Sequence, residues 1–219
     1  LKIKVTMRIF FLFLYSSFLY GIHLNAQDTE AAKKLLNQVS KKIESFDTMK
    51  FDFNYVLENR QENIKQETNG SVTVSGDRYK LLFLEVEQLF DGEKIYTIVP
   101  ENEEITIDNL DETEDIGINP SKLLYFYKEG YAFQWDIKQN VMGRNIQFIK
   151  LIPIEENKDV SFLLLGIDTL KKTIYRLIEI GTNETRTTLT ISNFSSNINL
   201  AENFFAFDPS LYPDYYINQ

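Results

Sequence analysis

The chain has 219 residues with 23 basic and 32 acidic side chains, a formal charge of −9, no cysteine and a single histidine, His23. An acidic surface of this kind repels nucleic acid and anionic lipid headgroups on average, which argues against polyanions as partners. The absence of cysteine excludes disulfides, thiolate metal sites and thiol catalysis.

Met7 and Arg8 form a short basic start, Ile9 to Tyr20 is an apolar run, and Gly21 to Ala26 is a more polar tail ending in a small residue. That layout predicts a secretory signal cleaved after Ala26. The apolar run is shorter than the roughly 20 residues that span a bilayer. Removing residues 1–26 takes away Lys2, Lys4 and Arg8 and no acid, leaving 20 basic and 32 acidic groups, a formal −12. It also removes His23, so serine-histidine triads and His-ligated metal sites are excluded from the remainder. Residues 27–219 are expected to form a single domain, with no cofactor, no metal and no enzymatic activity.

Thr29 to Phe46 reads as an amphipathic helix, with Leu35, Leu36, Val39, Ile43 and Phe46 near one stripe. From Lys50 the period changes to two: Phe51, Phe53, Tyr55 and Leu57 alternate with Asp52, Asn54, Val56 and Glu58, the pattern of a strand with one apolar face. Asn59 to Asn69 reads as a polar turn. Ser71 to Ser75 and Tyr79 to Phe83 form a hairpin through Gly76-Asp77, and Leu89-Phe90 joins Ile95 to Val99 through Asp91-Gly92. The acidic stretch Glu101 to Asp115 lacks the alternating Asp/Asn pattern and central Gly of a calcium loop, and reads as a solvated hairpin and loop.

Asn119-Pro120 offers an N-cap followed by Pro, and Gly130 a stop, predicting a short apolar helix that carries Leu123, Leu124, Phe126 and Tyr127. Further strands are expected at Phe133 to Ile137, Ile146 to Ile152, Val160 to Ile167, Thr173 to Ile180 and Thr185 to Phe194. About ten strands and two helices with short connections imply an α+β, mainly β, fold: a curved antiparallel sheet or open barrel wrapped around helices. The adjacent acids Glu103/Glu104 and Asp111/Glu112 offer nothing that would separate their pKa values for acid–base catalysis. The load of 17 Phe and 12 Tyr fits either a solid core or a hollow apolar cavity, and periodicity does not separate the two.

In chain order, LLNQVSKKIESFDTMKFDFNY (35–55), NGSVTVSGDRYKLLF (69–83), FDGEKIYTIVPENEEITI (90–107), NPSKLLYFYKEGY (119–131) and ENFFAFDPSLYP (202–213) resemble the LolA family of periplasmic lipoprotein carriers. The resemblance implies an incomplete β-barrel whose open face is covered by helices, enclosing a hydrophobic cavity for acyl chains. It implies a monomeric periplasmic chaperone that receives acylated lipoproteins from an inner-membrane ABC-type release complex and carries them to an outer-membrane acceptor. By that likeness residues 119–129 form a lid, and the lipid-binding residues are Phe53, Tyr55, Leu57, Val72, Val74, Tyr79, Leu81, Phe83, Leu123, Leu124, Phe126 and Tyr127. Many relatives carry an arginine at the corner after the second strand, where it helps to hold the lid. Here that corner is Ser75-Gly76-Asp77, with Arg78 the nearest substitute. The alternative within the same fold is an envelope sensor or structural module that binds a protein or envelope component through its concave face.

Overall fold

In a computed structural model, residues 28–109, 124–157 and 159–218 are described. The first element, α1, covers residues 28–44 and presents Ala32, Leu35, Leu36, Val39, Ser40 and Ile43 to the interior, the stripe expected of a 3.6-residue period. Phe46 lies just past its end, where the ring meets Phe194 at 5.7 Å.

Twelve strands follow among the described residues: β1 Met49–Asn59, β2 Ile64–Ser75, β3 Arg78–Phe83, β4 Val86–Phe90, β5 Lys94–Val99, β6 Glu104–Asn109, β7 Tyr131–Val141, β8 Arg144–Pro153, β9 Val160–Asp168, β10 Thr173–Gly181, β11 Arg186–Ser196 and β12 Tyr216–Asn218. They form one sheet in the order β12-β6-β5-β4-β3-β2-β1-β11-β10-β9-β8-β7, antiparallel throughout except where β12 runs parallel to β6. Side chains from β1, β2, β3, β8, β9, β10 and β11 share one buried cluster with α1. Strands so far apart in sheet order meet one helix because the sheet curls around it without closing.

Two expectations are corrected, and the hairpin expected in the acidic stretch is given its extent. Asn59 to Asn69 is mostly strand, because β1 and β2 pair without interruption from Met49↔Val74 to Asn59↔Ile64 and only residues 60–63 turn. The outer half of β2 is polar on both faces and is held by backbone pairing and by Asn54 Nδ2 donating to Glu67 Oε1 at 2.9 Å. Within the acidic stretch, residues 104–109 are β6, paired with β5. Of the second expected helix, residues 119–123 lie outside the described residues. The remainder is a single 3-10 turn, Phe126–Lys128, whose aromatic side chains are committed to tertiary contacts rather than to a continuing helix.

The chain leaves the sheet at β6 and re-enters at the opposite edge as β7, and residues 124–130 of that connection sit against α1. The hairpin at Asp91-Gly92 is fixed by Asp91 Oδ1, which accepts from the Glu93 and Lys94 N–H groups at 2.8 and 2.9 Å, while Gly92 takes the φ of +111° that the turn requires. On the opposite face of β4 to β6, the C-terminal segment packs Phe207 on Tyr96 with centroids 4.5 Å apart. Arg78 lies 5.2 Å over Phe205 of the same segment, so its recorded contact is with the C-terminal cover and not with residues 124–130.

Candidate functional site

The apolar faces of β1 to β4 and of β9 to β11 do not fill the space beneath Leu124 and Phe126, and a cavity of about 360 Å³ remains. One wall is Phe51, Phe53 and Tyr55 of β1, Val72 of β2, Leu81 and Phe83 of β3 and Val86 of β4. The other is Leu165, Ile174, Leu177, Leu189 and Ile191, and Leu124 and Phe126 close over it. Phe83 anchors the first wall, with its ring 5.5 Å from Phe53 and 5.2 Å edge-on to Tyr55.

This packing depends on Gly70, which is paired directly with Phe53 on one side and Phe83 on the other. With no side chain there, Phe53 lies flat across β2. Leu84, in the β3–β4 turn, projects at the rim and is 61% exposed. Leu84 and Glu85 both take positive φ, +53° and +64°, a turn usually built from Asn and Gly.

The lining carries no charged side chain. Its one amide, Gln88, is already engaged: Oε1 accepts from the Tyr79 hydroxyl at 2.8 Å and Nε2 donates to Thr97 Oγ1 at 3.5 Å. Burial pushes the Tyr79 phenol up to about 12, so it stays a neutral donor. Such a surface offers dispersion and area burial to a ligand and almost no directed polar contact. Among the described residues, no group of acids and histidines is arranged to hold a metal.

Of the side chains expected to contact acyl groups, Phe53, Tyr55, Val72, Leu81, Phe83, Leu124 and Phe126 surround the cavity. Val74, Tyr79 and Tyr127 are buried in the core beside it and do not line it. Leu57 is half-buried one step beyond Tyr55 on the same face, and Leu123 lies outside the described residues. Not anticipated were Phe51, Leu84, Val86 and Gln88, and the whole second wall. The signal for β11 was present in the alternation of Leu189 and Ile191 with Thr188, Thr190 and Ser192, whereas the run Phe162 to Leu165 of β9 is apolar on both faces and marks neither.

Residues 124–130 are clasped to α1. Ser40 Oγ and the Tyr127 hydroxyl are hydrogen-bonded at 3.0 Å in the interior, and Lys128 Nζ reaches Glu44 Oε1 at 2.6 Å on the surface. Burial raises the Tyr127 pKa, and the Ser40 hydrogen bond offsets part of that rise. Thr29 Oγ1, in the first turn of α1, donates to the Phe133 carbonyl at 3.3 Å. Farther along the same face of β10, two residues beyond Leu177, Glu179 is half-buried with its pKa raised by desolvation.

No protein-family model matches the sequence, and no curated protein matches it. Solved structures do match in shape. A LolA superfamily protein from Nitrosomonas europaea is 10% identical, with 80% of this chain and 97% of the other covered at a TM-score of 0.42. The Mycobacterium tuberculosis lipoprotein LppX is 12% identical, with coverages of 78% and 99% and a TM-score of 0.50. An uncharacterized conserved protein from Thermus thermophilus is 11% identical, with coverages of 85% and 98% and a TM-score of 0.55. The fold is shared with the LppX and Thermus thermophilus structures. At these identities the likeness is one of fold, and the chemistry of the cavity must be argued from this chain's own residues.

Proposed function

We propose that this chain is a non-enzymatic lipoprotein carrier that holds acyl chains in the cavity beneath Leu124 and Phe126. In this reading it is exported by a signal removed near Ala26 and works as a monomer in the periplasm. It takes lipoproteins from an inner-membrane ABC-type release complex and delivers them to an outer-membrane acceptor. The observation that carries the reading is a wall built from aromatic and aliphatic side chains with no charge and no unpaired amide. Burying a methylene contributes about 0.8 kcal/mol, so a long acyl chain gains on the order of 10 kcal/mol by leaving water. Cargo with that much apolar surface cannot cross an aqueous space unshielded, whereas a ligand with a charged core would find no partner in this lining.

The test is transfer. Purified protein is mixed with a triacylated lipoprotein released from detergent, and native mass spectrometry follows the complex before and after acceptor membranes are added. The expected result is a one-to-one complex that survives without detergent and loses its cargo to the acceptor. Recovery of no acylated species, with no cargo delivered, would overturn the proposal.

A further inference from the structure

The two turns at one end of the sheet differ in character from the rest of this acidic surface. Met142, in the β7–β8 turn, is 97% exposed and Leu170, in the β9–β10 turn, is 78% exposed. The turns are neighbours: Thr169 donates from its N–H and from Oγ1 to the Asn145 carbonyl at 3.0 and 3.1 Å, and Ile146 is paired with Asp168. The Leu170 tip is built by Asp168, whose buried carboxylate accepts from the Leu170 and Lys171 N–H groups, both at 3.0 Å.

Around the two apolar tips stand Arg144, Lys171 and Lys172. Among the described residues none of the three has an ion-pair partner, and the Arg144 guanidinium lies 5.6 Å over the Tyr175 ring. The one acid within the turns, Asp168, is turned inward.

We propose that these paired tips dock on an anionic phospholipid bilayer, with Met142 and Leu170 entering the interface and Arg144, Lys171 and Lys172 at headgroup level. Two protruding side chains on convex turns offer far too little area for a stable protein interface, which needs roughly 800 Å² per partner. A bilayer accepts isolated apolar side chains wherever they protrude, and cations beside them add attraction to anionic lipid. The chain's net charge of −9 opposes approach, but at physiological ionic strength charges beyond about 8 Å of the surface are screened, so the basic tips decide the sign of the contact. Docking here leaves the Leu84 rim, at the opposite end of the strands, open to solvent.

The test is co-sedimentation of the full chain with vesicles of phosphatidylcholine alone and with 30% phosphatidylglycerol. The readout is the phosphatidylglycerol-dependent part of binding, compared between each variant and the unchanged chain so that the contribution of residues 1–26, including Lys2, Lys4 and Arg8, is common to both and cancels. Both tips are exposed, so M142S/L170S and K171Q/K172Q leave the fold intact. Each pair is expected to lower that part of the binding by about tenfold or more, and 0.5 M salt is expected to suppress it. The proposal is overturned if the unchanged chain shows no phosphatidylglycerol-dependent binding. It is equally overturned if either pair leaves that binding as it was, or if the apolar pair alone matters and equally on neutral vesicles.

Discussion

Gly70 tests whether the space beneath Leu124 and Phe126 is a working cavity or a packing defect. A Cβ placed there would lie 2.3 Å from Phe53 Cζ and 2.8 Å from the Leu82 carbonyl oxygen, against the 3.4 Å of ordinary contact. The carbonyl belongs to the paired strand β3 and cannot retreat without loosening that ladder, so the Phe53 ring must yield by about 1.1 Å. Phe83 flanks it, and the free volume lies on the cavity side. Gly70→Ala is therefore expected to cost about 1–3 kcal/mol as an overpacked site. In a domain of this size that lowers Tm by about 2–4 °C per kcal/mol. Affinity for a fluorescent acyl probe is expected to fall about tenfold, the equivalent of two displaced methylenes. Gly166 supplies the control: its Cβ would meet Phe148 at 2.8 Å within the separate cluster on the opposite face. Gly166→Ala is expected to lose stability and keep full probe affinity. If Gly70→Ala binds the probe as tightly as the parent, or if the two variants lose affinity equally, the assignment of Phe53 to the cavity wall fails.

The clasp between α1 and residues 124–130 predicts a thermodynamic cycle. Ser40→Ala strands the Tyr127 hydroxyl and is expected to cost about 1–3 kcal/mol, Tyr127→Phe less because the serine can turn to its own helix carbonyl, and the double variant less than the sum. Urea titrations showing strict additivity would mean that the two hydroxyls do not act together. Glu179 predicts a pH signature. Its folded pKa is raised above the ordinary 4.5, so the folded state holds the proton more tightly, and stability drops as pH rises from the unfolded value through the folded one. Glu179→Gln is expected to stabilise the protein at pH 7 by less than about 1 kcal/mol after solvent screening, and to give nothing below about pH 4. An equal gain at both pH values would place the effect in packing instead. Asn59 joins two turns: Oδ1 accepts from the Gln61 and Glu62 N–H groups, each at 3.0 Å, and Nδ2 donates to Thr185 Oγ1 at 2.9 Å. Asn59→Ala is expected to cost about 2–3 kcal/mol and to speed amide exchange at residues 60–63 and 183–185 together. Faster exchange at only the first turn would show the stitch to be idle.

What was legible in the sequence follows from which faces are buried. β1 reads clearly because one face meets α1 and the other meets solvent, so Phe51, Phe53 and Tyr55 alternate with polar residues. The outer half of β2 does not. Lys65, Gln66, Glu67, Thr68 and Asn69 take their order from backbone pairing with β1, which leaves no trace in hydropathy. Half of the cavity was hidden by a different device. A register shift between Ile174 and Arg176 lets Ile174 and Leu177 face the same space at an odd spacing, which strict alternation forbids. The aromatic residues after Pro120 suggested a helix, but Phe126 packs edge-on to Tyr127 and Tyr131, and the Tyr127 hydroxyl is bonded to Ser40 of α1. That tertiary contact overrides local propensity.

The sheet order also governs how the molecule assembles. It is made of two meanders, β1 to β6 and β7 to β11, each joined by neighbours in sequence, and a single long-range seam unites them where β1 meets β11. At that seam Phe53 is paired with Ile191, 138 positions further along the chain (191 − 53). Contacts of such separation carry the largest loop-closure cost and form late. The two walls of the cavity belong one to each meander, so neither half alone encloses a space. A chain caught part-way through folding therefore exposes two apolar strips, and the seam that completes the fold also creates the cavity.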